Sequence, residues 1–222
     1  MKKSLVKYLL IVTLIVPTSI LSMQAQEIGI QMGSMRKMMS QGMPAVIAKL
    51  KELGITEIEG GGGRSMDRAA FRKLAEENGL KIIATGGGNF NNLQNKDSIQ
   101  KIITNAKVLG AQYVLCYWIP HDGDNFTFAD MQKAVEVFNS AGKILKENGL
   151  SLCYHPHGYE FREYAEGRGT LFEYMMDKTN PEYINFQMDV FWIKNPGQDP
   201  VALLKKYPTR WKMLHLKDRR KG

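Results

Sequence analysis

The feature that most constrains the fold of this chain is a repeated unit, in which an amphipathic helix ends at a glycine and an apolar strand follows at once. The unit occurs four times, as LKELGITEIE, AEENGLKIIA, AKVLGAQYVLCY and LKENGLSLCYH. Each glycine stands where a helix end needs a left-handed backbone conformation. The strands are apolar on both faces, which is typical of parallel strands covered by helices. The repeat therefore predicts an α/β protein with a parallel sheet.

Seven strands and six intervening helices are predicted after the N-terminal segment. The strands are expected at about 27–33, 55–60, 81–86, 112–118, 150–157, 184–190 and 211–216, and the helices at about 43–53, 66–78, 97–109, 128–148, 170–178 and 199–206. With right-handed crossovers, this order predicts a (β/α)8 TIM barrel over residues 26–222 with about seven of its eight strands present. Such barrels usually need about 250 residues, so we expect the domain to be incomplete at its C-terminus. A complete seven-stranded protein is the alternative.

Residues 1–25 are predicted to be a secretory signal peptide. Lys2, Lys3 and Lys7 precede a largely apolar stretch, and small residues lie close to Ala25. The alternative is a retained membrane anchor, but the apolar stretch is shorter than the ~18 residues that a spanning helix needs. We therefore expect a periplasmic or secreted protein with no stable membrane anchor after cleavage. A homo-oligomer is compatible with the sequence.

The charge of the chain does not indicate a nucleic-acid partner. The formal net charge is +8, but the N-terminal segment and residues 217–221 each carry +3, which leaves about +2 for the body. A nearly neutral body lacks the basic surface that binds phosphate backbones. Cys116 and Cys153 both fall in predicted buried strands, so two free thiols are expected, with a disulfide as the alternative that export permits.

Side chains that can bind metal ions follow three of the predicted strands, at the end where TIM barrels build their active sites. LSLCYHPHGYEF ends in His155, His157 and Glu160, INFQMDVFW contains Asp189, and WKMLHLKD contains His215. A carboxylate among apolar residues is costly unless it is paired or bound to a cation, so Asp189 indicates a metal ligand. The alternative is a carboxylate that accepts backbone hydrogen bonds. Such a set without thiolates suits Mn²⁺, Mg²⁺, Co²⁺ or Zn²⁺.

Further polar and aromatic residues are expected at the same end of the barrel as substrate-binding groups. Glu59 follows the second strand, and His121 and Trp118 follow the fourth. Trp192 follows the sixth strand, and Lys217 follows the seventh. The tryptophans would suit a sugar pocket, with core packing as the alternative.

Two glycine runs, at 60–63 and 86–88, also follow strands. They indicate either close backbone approach to a ligand or merely a permissive loop. Neither run fits G-x-G-x-x-G, and no G-x-S-x-G is present. A dinucleotide site and a serine-hydrolase elbow are therefore unsupported.

In these segments the chain resembles the xylose isomerase-like TIM barrels, the superfamily of sugar phosphate isomerases and epimerases, and in particular an exported branch with a histidine-rich fifth strand. The resemblance covers essentially everything after the N-terminal segment. It is carried by EIGIQMGSMR, EIEGGG, YHPHGYEF, MDVFWIKNPGQDP and HLKD.

The resemblance implies one divalent metal ion held by residues from strands five to eight. Asp189 and His215 match the ligands of strands six and seven. The strand-five glutamate falls on Cys153, so Glu160 is the expected substitute, with His157 as its rival. The strand-eight glutamate has no counterpart in this sequence, and Trp192 stands where the family often has a histidine.

The function implied is that of an exported, metal-dependent isomerase or epimerase acting on a sugar or a related polyol ketone. Glu160 would move the proton next to the carbonyl, while His155 or Lys217 would position substrate oxygens. One alternative is a keto-sugar or inosose dehydratase, a lyase that begins with the same proton abstraction. Another is a catalytically degenerate periplasmic sugar-binding barrel, which Cys153 and Trp192 would favour.

Overall fold

Seven parallel strands form one sheet in the order in which they occur along the chain. The computed structural model describes residues 27–63, 66–165 and 167–217, so the predicted signal peptide lies outside the described residues. The strands are β1 (Gly29–Gln31), β2 (Glu57–Glu59), β3 (Lys81–Thr85), β4 (Tyr113–Cys116), β5 (Ser151–Tyr154), β6 (Ile184–Asp189) and β7 (Trp211–His215). All seven predicted strands are confirmed, and most are a few residues shorter than expected.

Eight α-helices are described between and beside these strands. They are α1 (Met43–Glu52), α2 (Arg68–Glu77), α3 (Phe90–Leu93), α4 (Lys96–Leu109), α5 (Phe128–Glu147), α6 (Leu171–Lys178), α7 (Val190–Lys194) and α8 (Pro200–Lys206). Three 3-10 turns cover Met32–Met35, Met39–Gln41 and Tyr159–Phe161. The six predicted helices are confirmed. The short α3 and α7 were not predicted, because each is set by an Asn or Asp cap in a loop rather than by a long apolar stripe. None of the described helices is long and apolar enough to cross a membrane.

The sheet is curled into most of a barrel. His215 of β7 lies 2.8 Å from Glu59 of β2, measured from Nε2 to Oε2, although these strands are five places apart in the sheet order. A flat sheet would separate the two strands by about 24 Å, at about 4.8 Å per strand. The predicted seven-stranded TIM-type fold is therefore confirmed.

The curl gives the sheet two differently packed faces. Its outer face packs against α3 to α8 around a large apolar cluster that includes Phe138, Tyr154 and Phe186. Its inner face holds a small cluster that includes Cys153 and Leu115. Cys116 belongs to the outer cluster, so the two cysteines lie on opposite faces of neighbouring strands. Both are buried free thiols, as predicted.

One glycine of the run 86–88 is required by close packing beside the strand ends. A Cβ on Gly88 would lie 2.6 Å from the carbonyl oxygen of Leu115, whereas a Cβ on Gly86 would meet only the ring of Tyr117 at 3.7 Å. The loop after β3 thus rests directly on the backbone of β4. No ligand is needed to explain this glycine.

We expect Gly88→Ala to lower the free energy of unfolding by about 1–3 kcal/mol, because a backbone oxygen cannot move aside as a side chain can. Gly86→Ala is the matched control and should change it by less than about 0.5 kcal/mol. Urea denaturation of both variants would measure the difference. Equal midpoints for the two would contradict this account of the loop.

Candidate active site

The carboxyl ends of β5, β6 and β7 bring three metal-ligating side chains together. His155 directly follows β5, while Asp189 and His215 are the last residues of β6 and β7 and are paired in register. One ligand atom from each lies within 4.8 Å of the others. The Oδ2 atom of Asp189 is 3.8 Å from Nε2 of His155 and 3.9 Å from Nδ1 of His215. Two imidazoles and a carboxylate therefore face one point.

Asp189 divides its two oxygens between the fold and the site. Its Oδ1 accepts the backbone N–H groups of Phe191 at 2.9 Å and Trp192 at 3.2 Å, which caps α7. Its Oδ2 faces the two histidines, and Nζ of Lys217 lies 3.7 Å away. Only 1% of the residue is exposed. The contacts of Oδ1 confirm the backbone-capping alternative, while the position of Oδ2 is compatible with the predicted role of metal ligand.

Glu59 is a buried carboxylate that contacts the group of potential ligands through His215. The residue is 5% exposed. Its carboxylate accepts the ring N–H of His215 at 2.8 Å, the side-chain amide of Gln187 at 2.5 Å and the hydroxyl of Tyr117 at 3.1 Å. Burial by itself raises the pKa of Glu59, but the hydrogen bonds from these three donors lower it overall. The substrate-binding role predicted for Glu59 does not fit a carboxylate so fully engaged.

His155 is the strand-five member of this group, whereas the resemblance implied Glu160 or His157 because the family's glutamate falls on Cys153. Cys153 lies two residues earlier in β5 and packs with Leu115 and Ala84 on the inner face of the sheet. The ring of His155 is held by Gln187, whose Oε1 is 2.7 Å from Nδ1. Burial lowers the pKa of His155, so the ring is neutral near pH 7. His155, predicted as a catalytic residue, is thus placed among the ligands.

Glu160 does not join this group of ligands. The chain turns at Gly158, whose φ is +101°, and enters the 3-10 turn Tyr159–Phe161, which folds the Glu160 side chain back into the protein. Its carboxylate accepts the hydroxyl of Tyr154 at 2.5 Å and the backbone N–H groups of His157 and Gly158 at 3.1 and 2.8 Å. Burial raises the pKa of Glu160. The geometry therefore favours a structural role over the predicted roles of metal ligand and proton carrier.

His157 borders the three ligands without being one of them. Its ring centroid lies 4.7 Å from that of His155 and 5.2 Å from that of Trp192. Its Nδ1 atom is buried and has no hydrogen-bond partner among the residues that the structure describes. Burial lowers the pKa of His157 to about 4. A neutral ring with an unused nitrogen therefore lies at the edge of the site.

Aromatic side chains form the outer wall of the site. Trp118 is 49% exposed and stacks on His121 with ring centroids 4.4 Å apart. The His121 ring bonds to the carbonyl of Ile119, with Nδ1 at 2.7 Å. On the opposite side, Nζ of Lys217 lies 5.2 Å from the ring of Trp192. Lys217 and Trp192 thus lie next to Asp189, whereas Trp118 and His121 are linked to the site through His157.

A cavity of about 320 Å³ adjoins this wall, between the loops that follow β3 and β4. It shares Tyr117 with the hydrogen bonds around Glu59. It is lined by Gly87, Asn89, Phe90, Asn91, Leu115, Tyr117, Trp118 and Pro120. Its lining includes none of the three potential ligands, and it approaches them through Tyr117, whose ring centroid lies 5.8 Å from that of His155.

Gln187 is the one residue of the site that sequence reasoning missed. It lies two positions before Asp189 on β6 and so shares its face of the strand. One feature could have revealed it. Gln187 is an amide side chain within a strand that is buried along its whole length. Its partners, however, come from β2 and β5, and a single sequence does not reveal such pairings.

This chain matches one protein family and is similar to several solved structures. Residues 47–222 match the family described as xylose isomerase-like TIM barrel. A sugar phosphate isomerase/epimerase from Parabacteroides distasonis superposes with a TM-score of 0.74 and 26% identity, over 92% of this chain and 80% of that one. The IolI protein, solved with a bound zinc atom, has the same fold at 14% identity and a TM-score of 0.65, over 89% of this chain and 74% of that one.

Curated relatives match over a shorter segment. Inosose dehydratase 2 of Bacillus cereus is 35% identical over 94 residues, which is 42% of this chain and 30% of that protein. The matched segment therefore spans less than a third of the length of that relative.

Proposed function

Since this chain belongs to the xylose isomerase-like TIM barrel family, a family of enzymes, we propose that it binds one divalent metal ion and removes a proton next to the carbonyl of a sugar or keto-sugar. The convergence of His155, Asp189 and His215 on one point carries the proposal. Two imidazole nitrogens and one carboxylate oxygen are a donor set that suits Zn²⁺, Mn²⁺ or Co²⁺. The zinc atom of the IolI protein, which has the same fold, supports this choice of cofactor.

When bound, the ion would polarise a carbonyl oxygen and stabilise the negative charge that develops as the neighbouring carbon loses its proton. The chain supplies the remaining parts. Lys217 Nζ, beside Asp189 and the ring of Trp192, would bind a substrate oxygen. The exposed face of Trp118 would pack on the carbon skeleton of the substrate.

His157 is the group that we propose accepts the proton. Its Nδ1 is buried without a partner among the described residues, and its lowered pKa keeps it unprotonated at neutral pH. Glu160, the proton carrier that the sequence suggested, has its carboxylate engaged by three donors. A general base needs a free lone pair, and Nδ1 of His157 retains one beside the ring of His155.

Two reactions share this first step. Return of the proton to another carbon, or to the other face, gives an isomerase or epimerase, which the similarity to the Parabacteroides protein supports. Loss of a neighbouring hydroxyl instead gives a dehydratase, which the identity with inosose dehydratase supports. The active-site geometry is compatible with both outcomes.

Deuterium exchange would test the shared step. The protein, loaded with Mn²⁺, Co²⁺ or Zn²⁺, would be incubated in D₂O with keto-sugars and inososes, and proton NMR would follow the C–H next to the carbonyl. We expect exchange that EDTA abolishes, accompanied either by isomerised sugar or by a dehydrated enone.

A His157→Gln variant separates proton transfer from metal binding. We expect this variant to bind metal as the wild type does but to exchange deuterium at least about 100-fold more slowly, since general bases contribute 10²–10⁴-fold. Metal binding by the wild type without exchange on any substrate would instead favour the sugar-binding barrel. Full exchange by the variant would exclude His157 as the base.

A further inference from the structure

A continuous chain of hydrogen bonds joins the two histidines of the site through Gln187 and Glu59. The buried Gln187 amide has its Oε1 2.7 Å from Nδ1 of His155 and its Nε2 2.5 Å from Oε2 of Glu59. The same oxygen of Glu59 is 2.8 Å from Nε2 of His215. Neither Gln187 nor Glu59 belongs to the group that can hold the ion.

The direction of every bond in this chain follows from its carboxylate end. An ionised carboxylate can only accept hydrogen bonds, and Glu59 also receives the hydroxyl of Tyr117. The amide of Gln187 must therefore turn its nitrogen towards Glu59 and its oxygen towards His155. An amide oxygen also only accepts, so His155 must carry its hydrogen on Nδ1. By the same reasoning His215 must carry its hydrogen on Nε2.

The two remaining ring nitrogens then both present lone pairs to the site. They are Nε2 of His155 and Nδ1 of His215, at 3.8 and 3.9 Å from Oδ2 of Asp189. The two rings thus use opposite nitrogens, yet both lone pairs face the same oxygen. For His155 this is the tautomer with hydrogen on Nδ1, which a free neutral imidazole side chain in water populates less.

We propose that Glu59 and Gln187 form a tautomer lock, a pair of positioning residues that fix which nitrogen of each histidine faces the site. Glu59 acts on His215 directly and on His155 through Gln187. The assignment of the tautomers does not need the proposed function. It rests on that function only in naming a metal ion as the partner of the two lone pairs. Groups that hold a ligating histidine in this way typically change metal affinity 10–100-fold when removed.

NMR of the metal-free protein tests the lock without any reaction. The chain contains four histidines, so selective ¹⁵N-histidine labelling yields a spectrum that can be assigned residue by residue. At a pH where the rings are neutral, we expect hydrogen on Nδ1 of His155 and on Nε2 of His215. A wild type with His155 protonated on Nε2 would overturn the proposal, and this measurement needs no substitution, so it does not depend on the folding of a variant.

Gln187→Met removes the bonds of the amide to His155 and Glu59 while keeping a side chain of similar length. We expect His155 to shift towards the Nε2 tautomer, His215 to keep its own, and the affinity for Zn²⁺ to fall 10–100-fold by isothermal titration calorimetry. The control is Met213→Leu, because Met213 packs against Gln187 with its sulfur 3.8 Å from Nε2 but does not contact either histidine by a hydrogen bond. This control should leave both tautomers and the Zn²⁺ affinity unchanged.

Two possible results of these experiments would distinguish the tautomer lock from the proposed function. The expected tautomers in a wild type that binds no Zn²⁺, Mn²⁺ or Co²⁺ would support the lock and overturn the metal-dependent function. An unchanged His155 tautomer in Gln187→Met would overturn the lock, however tightly the metal binds.

Discussion

The Asp189→Asn protein should bind Zn²⁺ or Mn²⁺ at least about 100-fold more weakly than the wild type while keeping its fold. The new amide would still accept the N–H groups of Phe191 and Trp192 through its carbonyl oxygen, so the cap of α7 survives. The oxygen that faces both histidines would be replaced by an NH₂ group, which has neither charge nor lone pair. Removing a residue that only orients a ligand already costs 10–100-fold in affinity, so losing the ligand atom should cost more.

Titration calorimetry and thermal unfolding of the metal-free protein would measure both halves of this prediction. Asp199→Asn is the matched control. Asp199 caps α8 through the N–H of Val201 and does not belong to the ligand group, so this variant loses the same charge and keeps the same kind of cap. It should bind metal as the wild type does. Equal affinity in Asp189→Asn and the wild type would show that the ion, if bound, is held elsewhere.

The order of strands and helices was predictable because it depends on local patterns. Each strand in the repeated unit begins just after a glycine that ends a helix, and three of the four strands are mostly apolar. These signals are read within one segment at a time, and parallel order then follows from right-handed crossovers. The short helices α3 and α7 escaped prediction because a single capping side chain in a loop fixes each of them.

The site was only partly predictable because its residues come from strands far apart in the sequence. Asp189 and His215 were identified because each ends an apolar strand. His155 was identified as functional but not as a ligand, since the resemblance implied Glu160 or His157 in place of the family's strand-five glutamate, which falls on Cys153. The bond between Gln187 and Glu59 joins residues 128 positions apart, and no local pattern reports it.

Glu160 shows how a turn can mislead a prediction made from residue types. The sequence YHPHGYEF suggests that its histidines and glutamate point to one mouth, because all three follow a strand. That inference assumes that the chain continues away from the sheet after the end of β5. The positive φ of Gly158 reverses the chain instead. The Glu160 carboxylate therefore turns back into the protein, where it accepts the backbone N–H of Gly158.

Glu160→Ala should lower the free energy of unfolding by about 3 kcal/mol or more. The residue is 0% exposed, and truncation would leave the hydroxyl of Tyr154 and the backbone N–H groups of His157 and Gly158 without their acceptor. A buried donor left unsatisfied costs about 1–3 kcal/mol, and the removed atoms also leave a cavity. Glu163→Ala, at an exposed glutamate in the same loop, should stay within about 0.5 kcal/mol of the wild type.

Glu160→Gln distinguishes this structural role from metal ligation. Its carbonyl oxygen can still accept from the loop N–H groups, so we expect a smaller loss of stability than in Glu160→Ala and a Zn²⁺ affinity within about threefold of the wild type, since the site atoms are untouched. Urea denaturation and titration calorimetry on the same samples would give both values. A glutamine variant that is as stable as the wild type but binds metal as weakly as Asp189→Asn would instead make Glu160 the ligand that the sequence first suggested. The loop after β5 would then have to open when the ion binds.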